Sequence, residues 1–247
     1  MKKFLFIVGF AIIACKPTFY QITQRNTTFT EVNASLKEDA QVLQTIEPYK
    51  KQLEAQMQRI IGYAEIEIAN GRKINETPLG NLVADMCQQR ASREIGKNVD
   101  LGFVTFGGLR TSIPAGAIKV SDIFELMPFE NELVVLEIDG KTMRKLFEYL
   151  VVTRNIAISN SKVLIKGGQL KDVLVNNEPI EENRIYRVAT SDYLASGGDN
   201  MTFLKEAKNI IFTNVKYRDM IIQAIEDTHK QGKKITSSVG GRVEERP

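Results

Sequence analysis

The segment ELVVLEIDGKTMRKLFEYLVVTR, residues 132–154, changes its hydrophobic period at a single glycine. Up to Gly140 the apolar run reads as a strand, and beyond it Met143, Leu146, Phe147 and Leu150 fall on one face of a helix. A strand and a helix in one segment restrict the chain to folds that combine both. The next sixty residues narrow the class. Strands are expected in succession at Lys162–Lys166, Leu170–Val175 and Ile185–Thr190, the last two linked by the polar NNEPIEENR. Strands and helices are mixed rather than strictly alternating, which predicts an α+β fold, a mixed sheet packed with helices, over a doubly wound one.

The rest of the chain fits that class. In DAQVLQTIEPYKKQLEAQMQRIIGYAEIEI, residues Leu53, Met57, Ile60 and Ile61 recur at helical spacing, and AEIEIA after them alternates as a strand. In GRKINETPLGNLVADMCQQRASREIG, Thr77 is placed to cap a helix and Pro78 to take its first position. Leu79, Leu82, Val83 and Met86 form its apolar face and Gly96 its stop. VDLGFVTF reads as a strand, IPAG as a turn, and VSDIFEL as a short helix with Ser121 near its start. Residues 215–230 form a helical pattern carrying Met220, Ile221 and Ile225.

The beginning of the chain reads as an export signal. MKKFLFIVGFAIIAC has two lysines, then an apolar run from Phe4 to Ala14 that is too short to span a bilayer. IIAC resembles the lipobox of bacterial lipoproteins, in which the cut precedes a cysteine that is then lipidated, here Cys15. Ile12 stands where leucine is usual. A plain signal peptide is the alternative. The expected organisation is a lipoprotein-type signal over residues 1–14, a polar tether or extended strand pair over 15–37, and one domain over 38–247. The lipobox implies a bacterial cell envelope, with the protein lipid-anchored to a membrane and facing periplasm or exterior.

Composition excludes several chemistries. At 247 residues and 43% hydrophobic, the chain can bury one good core. A net charge of +3 with interspersed acids and bases gives no nucleic-acid footprint. Beyond Cys15 there is one cysteine, Cys87, at helical spacing from Leu82, Val83 and Met86, which reads as a buried thiol. The single histidine, His229, lies in the polar AIEDTHKQGKK and reads as a solvated helix end. A histidine-rich metal site cannot be built from such a chain alone.

Three stretches join glycine to polar and aromatic residues at strand ends. FGGLRTS (106–112) offers backbone freedom at Gly107 and Gly108 and, in Arg110, a planar fork suited to phosphate. LMPFENE places Phe129 after Pro128 just before a strand, and SDYLASGGDN sets Tyr193 and Asp199 around Gly197 and Gly198. Each alone is as consistent with a turn or a core residue as with a ligand site.

Taken with ETPLGNLVAD, they fall into a series of four motifs: ETPLGNLVAD, FGGLRTSIPAGAIKVSDIFELMPFEN, VVLEIDGKTMRKLFE and YRVATSDYLASGGDNM. In these, from about Tyr49 through the 215–230 helix, the chain resembles the C-terminal domain of the 5′-nucleotidase family, which includes UDP-sugar hydrolases and the surface ecto-5′-nucleotidase. The resemblance implies a domain that stacks a nucleoside base between two aromatics, at Phe129 and Tyr193. It also implies that Asp199 holds the ribose and Arg110 contacts phosphate, with Gly107, Gly108, Gly197 and Gly198 shaping the substrate-binding site. Two departures stand out. The family usually has asparagine before its glycine run, where this chain has Thr105 followed by Phe106. A second phosphate arginine before ET is replaced by Asn75, with Arg72 and Lys73 nearby.

In the family, hydrolysis belongs to an N-terminal metallophosphoesterase domain with two metal ions, whose motifs need several histidines. One histidine outside every motif cannot supply them. The expectation is therefore a nucleotide-binding chain that is not catalytic alone and holds no cofactor itself, with divalent metals on a separate metallophosphoesterase chain as partner. A stand-alone nucleoside-binding lipoprotein and a degenerate envelope domain are the rival readings. An enzyme using Asp85, Asp192 or Asp199 as a lone acid or base lacks any paired carboxylate or nucleophile–base spacing.

Overall fold

The computed structural model describes residues 26–33, 35–71 and 75–247. The expected signal segment, Cys15 and the first part of the expected tether lie outside these residues, as do Arg72 and Lys73. Contacts divide the chain into two units, Met1–Ile46 and Glu47–Pro247. Within the described part of 26–37 no strand forms.

The helices in chain order are α1 (Ala40–Met57), α2 (Pro78–Ile95), α3 (Val120–Leu126), α4 (Gly140–Thr153), α5 (Asp192–Ala195) and α6 (Tyr217–Lys230). The strands are β1 (Ile60–Ala64), β2 (Leu101–Thr105), β3 (Gly116–Lys119), β4 (Glu132–Asp139), β5 (Ile156–Ile158), β6 (Ser161–Lys166), β7 (Gln169–Val175), β8 (Glu178–Pro179), β9 (Ile185–Ser191), β10 (Asn209–Lys216) and β11 (Val243–Arg246). The class is α+β, as the mixed order of elements predicts.

The second unit is organised by a five-stranded sheet in the order β10-β4-β9-β2-β5. Strand β9 runs parallel to β2, and all other pairings in the sheet are antiparallel. The period of two places alternate residues of β4 in two different cores. Leu133 and Val135 pack with α2, α3 and α6, whereas Val134, Leu136 and Ile138 pack with α4 and the β6–β7 hairpin. That is why ELVVLEID reads as an almost continuous apolar run: the strand is covered on both faces. A second sheet, β11-β6-β7-β8, closes the α4 side, and a two-stranded pair, β1-β3, lies on the other.

Local chemistry sets the helix ends. Thr77 Oγ1 accepts the Gly80 N–H at 2.8 Å, Pro78 occupies the first turn, and α2 stops at Gly96 with φ 62°. Asp139 caps α4 by accepting the Thr142 N–H at 2.9 Å, directly at the strand–helix switch. At α3, Ser121 lies near the start of the helix, as expected, and the capping contact is made by another residue. Asp122 Oδ2 accepts the Lys119 N–H at 2.7 Å. Gly102 has a packing role: a Cβ there would meet the Ala84 carbonyl oxygen at 2.5 Å, so only glycine lets α2 lie this close to β2.

One strand is displaced from its expected place. Ile60 and Ile61 belong to β1 rather than to the preceding helix, and the strand ends at Ala64, where AEIEIA was expected to begin one. Only Ile61 of the pair is buried, in the same core as Ile225, while Ile68 makes an isolated bridge to Ile113. Helix α1 buries none of its residues.

Candidate functional site

Five strands meet at one edge of the central sheet. Parallel β2 and β9 finish there at Thr105 and Ser191, antiparallel β4 and β5 begin there just after Asn131 and Asn155, and β10 ends there at the start of α6. Between these chain ends lies a cavity of about 430 Å³. Gly107, Gly108, Arg110, Phe129, Tyr193 and Asp199 all line it, together with Thr105, Asn131, Asn155 and Tyr217. Three stretches separated in sequence are thus brought to one opening.

The glycine turn is held from β5. The Phe106 N–H donates to the Asn155 carbonyl at 3.2 Å and the Gly107 N–H to Asn155 Oδ1 at 3.2 Å. Phe106 itself is fully buried and turns away to pack on Gly80 and Ala157, so its bulk fills the core and not the cavity. Leu109 is also buried, which throws the exposed Arg110 outward. The Arg110 N–H donates to the Leu126 carbonyl at 2.9 Å, and its guanidinium donates to the Gly107 carbonyl at 3.1 Å. Its Cζ lies 5.8 Å from the centre of the Phe129 ring, within cation–π range.

Phe129 and Tyr193 are 40% and 50% exposed, which leaves part of each ring open to a ligand. The Phe129 loop is pinned by Arg218, a buried arginine stacked 3.9 Å over the Phe124 ring. Arg218 donates to the Met127 carbonyl and pairs with Glu130, bracketing Phe129 on both sides. The hydrogen bond from Arg218 holds the Glu130 carboxyl below its ordinary range.

Tyr193 and Asp199 form a closed local unit. The Tyr193 hydroxyl donates to Asp199 Oδ1 at 3.0 Å and accepts the Asp199 N–H at 3.2 Å. Gly197 turns the chain with φ 89°, and Asp199 sits in the left-handed region with φ 50°, a conformation an aspartate tolerates better than most residues. A Cβ at Gly198 would lie 2.5 Å from the Tyr193 ring, so the ring rests on bare backbone. Gly197 and Gly198 therefore shape the site without lining the cavity. The Tyr149 hydroxyl donates to the Asp199 carbonyl at 2.6 Å; burial, followed by the Asp199 charge, pushes its pKa up.

Other singled-out residues lie elsewhere or are committed. Asn75 bridges Arg154 and Glu245 and does not line the cavity. Asp85 takes a two-pronged pair from Arg242 at 2.8 and 2.7 Å. Asp192 accepts the Glu132 and Tyr193 N–H groups at 3.1 and 2.8 Å. Cys87 is buried with Sγ 2.9 Å from the Tyr217 hydroxyl, and burial pushes its thiol up to about 12. His229 lies exposed in the last turn of α6 against the Tyr63 ring. Among the described residues no group of three or more His, Cys, Asp or Glu could hold a metal ion.

Two lining residues escape a reading by motif. Asn131 stands inside PFEN, two positions after Phe129, and its spacing was the available signal. Asn155 follows Arg154, which ends α4 with φ 51°, and carries no signal of its own. Only the pairing of β5 with β2 brings it to the glycine turn.

Comparison with known proteins agrees with this architecture. The family model described as 5′-nucleotidase, C-terminal domain matches residues 60–206. The trifunctional nucleotide phosphoesterase protein YfkN of Bacillus subtilis is 25% identical over 91% of this chain and 16% of its own length. Protein UshA of Escherichia coli is 25% identical over 66% of this chain and 30% of its own. The crystal structure of a 5′-nucleotidase precursor from Thermus thermophilus superposes with a TM-score of 0.69 at 26% identity, covering 84% of this chain and 43% of that one. The chain thus spans less than half the length of each of these proteins. Since the family model covers more than half of the sequence, and the fold and the motif order coincide with it, the chain belongs to the 5′-nucleotidase C-terminal domain family.

Proposed function

We propose that this chain is the nucleotide-binding half of a split 5′-nucleotidase, presenting substrate to a metallophosphoesterase on a separate polypeptide. The observation that carries this is a cavity on which two partly exposed aromatics, a carboxylate and a guanidinium converge. A nucleoside base lies between Phe129 and Tyr193, its ribose hydroxyls donate to Asp199, and the phosphate meets Arg110. Stacking tolerates every base, which suits a nucleotidase of broad range. The described residues do not fit a dinuclear metal site, so the role drawn for this chain is binding and orientation alone.

On the same reading the protein belongs to a bacterial cell envelope, exported and lipid-anchored through Cys15 towards periplasm or exterior. The N-terminal run MKKFLFIVGFAIIAC supports it. No helix among the described residues is long and apolar enough to cross a membrane.

The test is calorimetric titration of the chain with adenosine and AMP beside a phosphate-release assay with added divalent metal. Binding without hydrolysis, converted to hydrolysis by a metallophosphoesterase recovered in a pull-down, is the expected result. Binding that no such enzyme exploits would favour a stand-alone nucleoside-binding lipoprotein. Absence of binding would sink the stacking model, and phosphate release that survives stringent purification would overturn the division of labour.

A further inference from the structure

Asn155 reaches the cavity from the residue before β5, and its amide is oriented by its neighbours. Its carbonyl accepts the Phe106 N–H and its Oδ1 accepts the Gly107 N–H, each at 3.2 Å. A backbone N–H only donates, so Oδ1 faces Gly107 and Nδ2 is the free end of the amide. Among the described residues Nδ2 has no hydrogen-bond partner, and the residue is partly open at the cavity wall. The neighbouring acceptor, the Gly107 carbonyl, is already taken by Arg110.

A neutral donor of this kind matches the neutral acceptors of a base edge. The anionic and hydroxyl parts of a nucleotide are better met by the Arg110 guanidinium and the Asp199 carboxylate. We infer that Asn155 reads the nucleobase: Nδ2 donates to a ring nitrogen or carbonyl oxygen, so the site favours bases that present an acceptor there. This rests on the nucleotide-binding role proposed for the cavity. The residue determines specificity, because a ligand that covers Nδ2 without accepting from it leaves that donor unpaired.

The test compares inosine, indole riboside, which stacks but offers no ring acceptor, and ribose 5-phosphate, which has no base. Each is titrated calorimetrically into the full chain as wild type, Asn155→Asp and Asn155→Ala. Asn155→Asp keeps an acceptor for Gly107 while replacing the donor, so the neutral inosine should bind about tenfold more weakly, and ribose 5-phosphate should change by less than about twofold in the uncharged Asn155→Ala. Wild type should bind indole riboside about tenfold more weakly than inosine, and that gap should close in Asn155→Ala. Unchanged inosine affinity in Asn155→Asp would overturn the assignment. So would equal affinity of the wild type for inosine and indole riboside, a comparison that needs no variant to fold. Wild type binding none of the nucleosides would remove the stacking model and this inference with it, a failure distinct from the other two.

Discussion

Gly198→Ala should separate ligand binding from stability. The new Cβ would lie 2.5 Å from Cε1 and Cζ of Tyr193 and 2.7 Å from Cδ1. Carbon atoms rest at about 3.5–4.0 Å, so the ring must withdraw by roughly 1 Å. It can do so cheaply, because half of it faces water and the φ of Gly198 is not left-handed. The expected cost to folding is below about 1 kcal/mol. Binding suffers more. A withdrawn ring loses both hydrogen bonds to Asp199, at 3.0 and 3.2 Å, and leaves its place in the wall of the cavity that Phe129 also lines. With base stacking worth about 1–3 kcal/mol, adenosine affinity should fall by about 5- to 150-fold. Calorimetry reads the affinity and urea unfolding the stability, and Tyr193→Ala provides the cross-check. If both changes act through one ring, the double variant should bind no worse than Tyr193→Ala alone. Adenosine affinity equal to wild type in Gly198→Ala would refute the seating of the ring on Gly198 as the basis of the site.

Phe129→Ala should weaken adenosine by about 1–3 kcal/mol in the same titration while leaving the urea midpoint nearly unchanged, since the ring is partly exposed. Gly102→Ala drives a Cβ into the Ala84 carbonyl and should cost about 3 kcal/mol, read as a lower urea midpoint with unchanged slope. Arg242→Met abandons the paired carboxylate of Asp85 and the Ile158 carbonyl, and a loss of about 2 kcal/mol is expected in the same assay. Burial raises the Cys87 thiol from 9.0 to about 12, so the folded state keeps a proton that the unfolded chain has shed. That contribution is full below about pH 9 and disappears as pH rises towards 12; Cys87→Ala should flatten the decline of stability between about pH 9 and 12, and equal slopes would contradict it.

The elements legible in the sequence were those whose period and end signals agreed. Thr77, Pro78 and Gly96 mark α2 because capping chemistry is local, and the change of hydrophobic period at Gly140 marks the switch from β4 to α4. Ile60 and Ile61 misled because two adjacent apolar residues suit a helix face as well as a strand, and only the pairing with β3 decides. The positions of Arg110, Phe129, Tyr193 and Asp199 on one cavity could be anticipated from motifs in series. Phe106 could not be read as core from its neighbours, since its partners Gly80 and Ala157 are remote in sequence. Asn155 was invisible because its orientation is set by a turn 48 positions upstream.

The meeting of five strand ends at one cavity has a mechanical consequence. No continuous piece of the chain can form this site, because its walls are contributed by segments running from Val104 to Tyr217. The cavity therefore exists only when the sheet is fully assembled, and any molecule that fills it behaves as a reversible cross-link between strands distant in sequence. At a concentration one hundred times its Kd, such a molecule would add about 2.7 kcal/mol to the stability of the whole unit. A thermal-shift screen thus reports on occupancy of the cavity without requiring any reaction to be known.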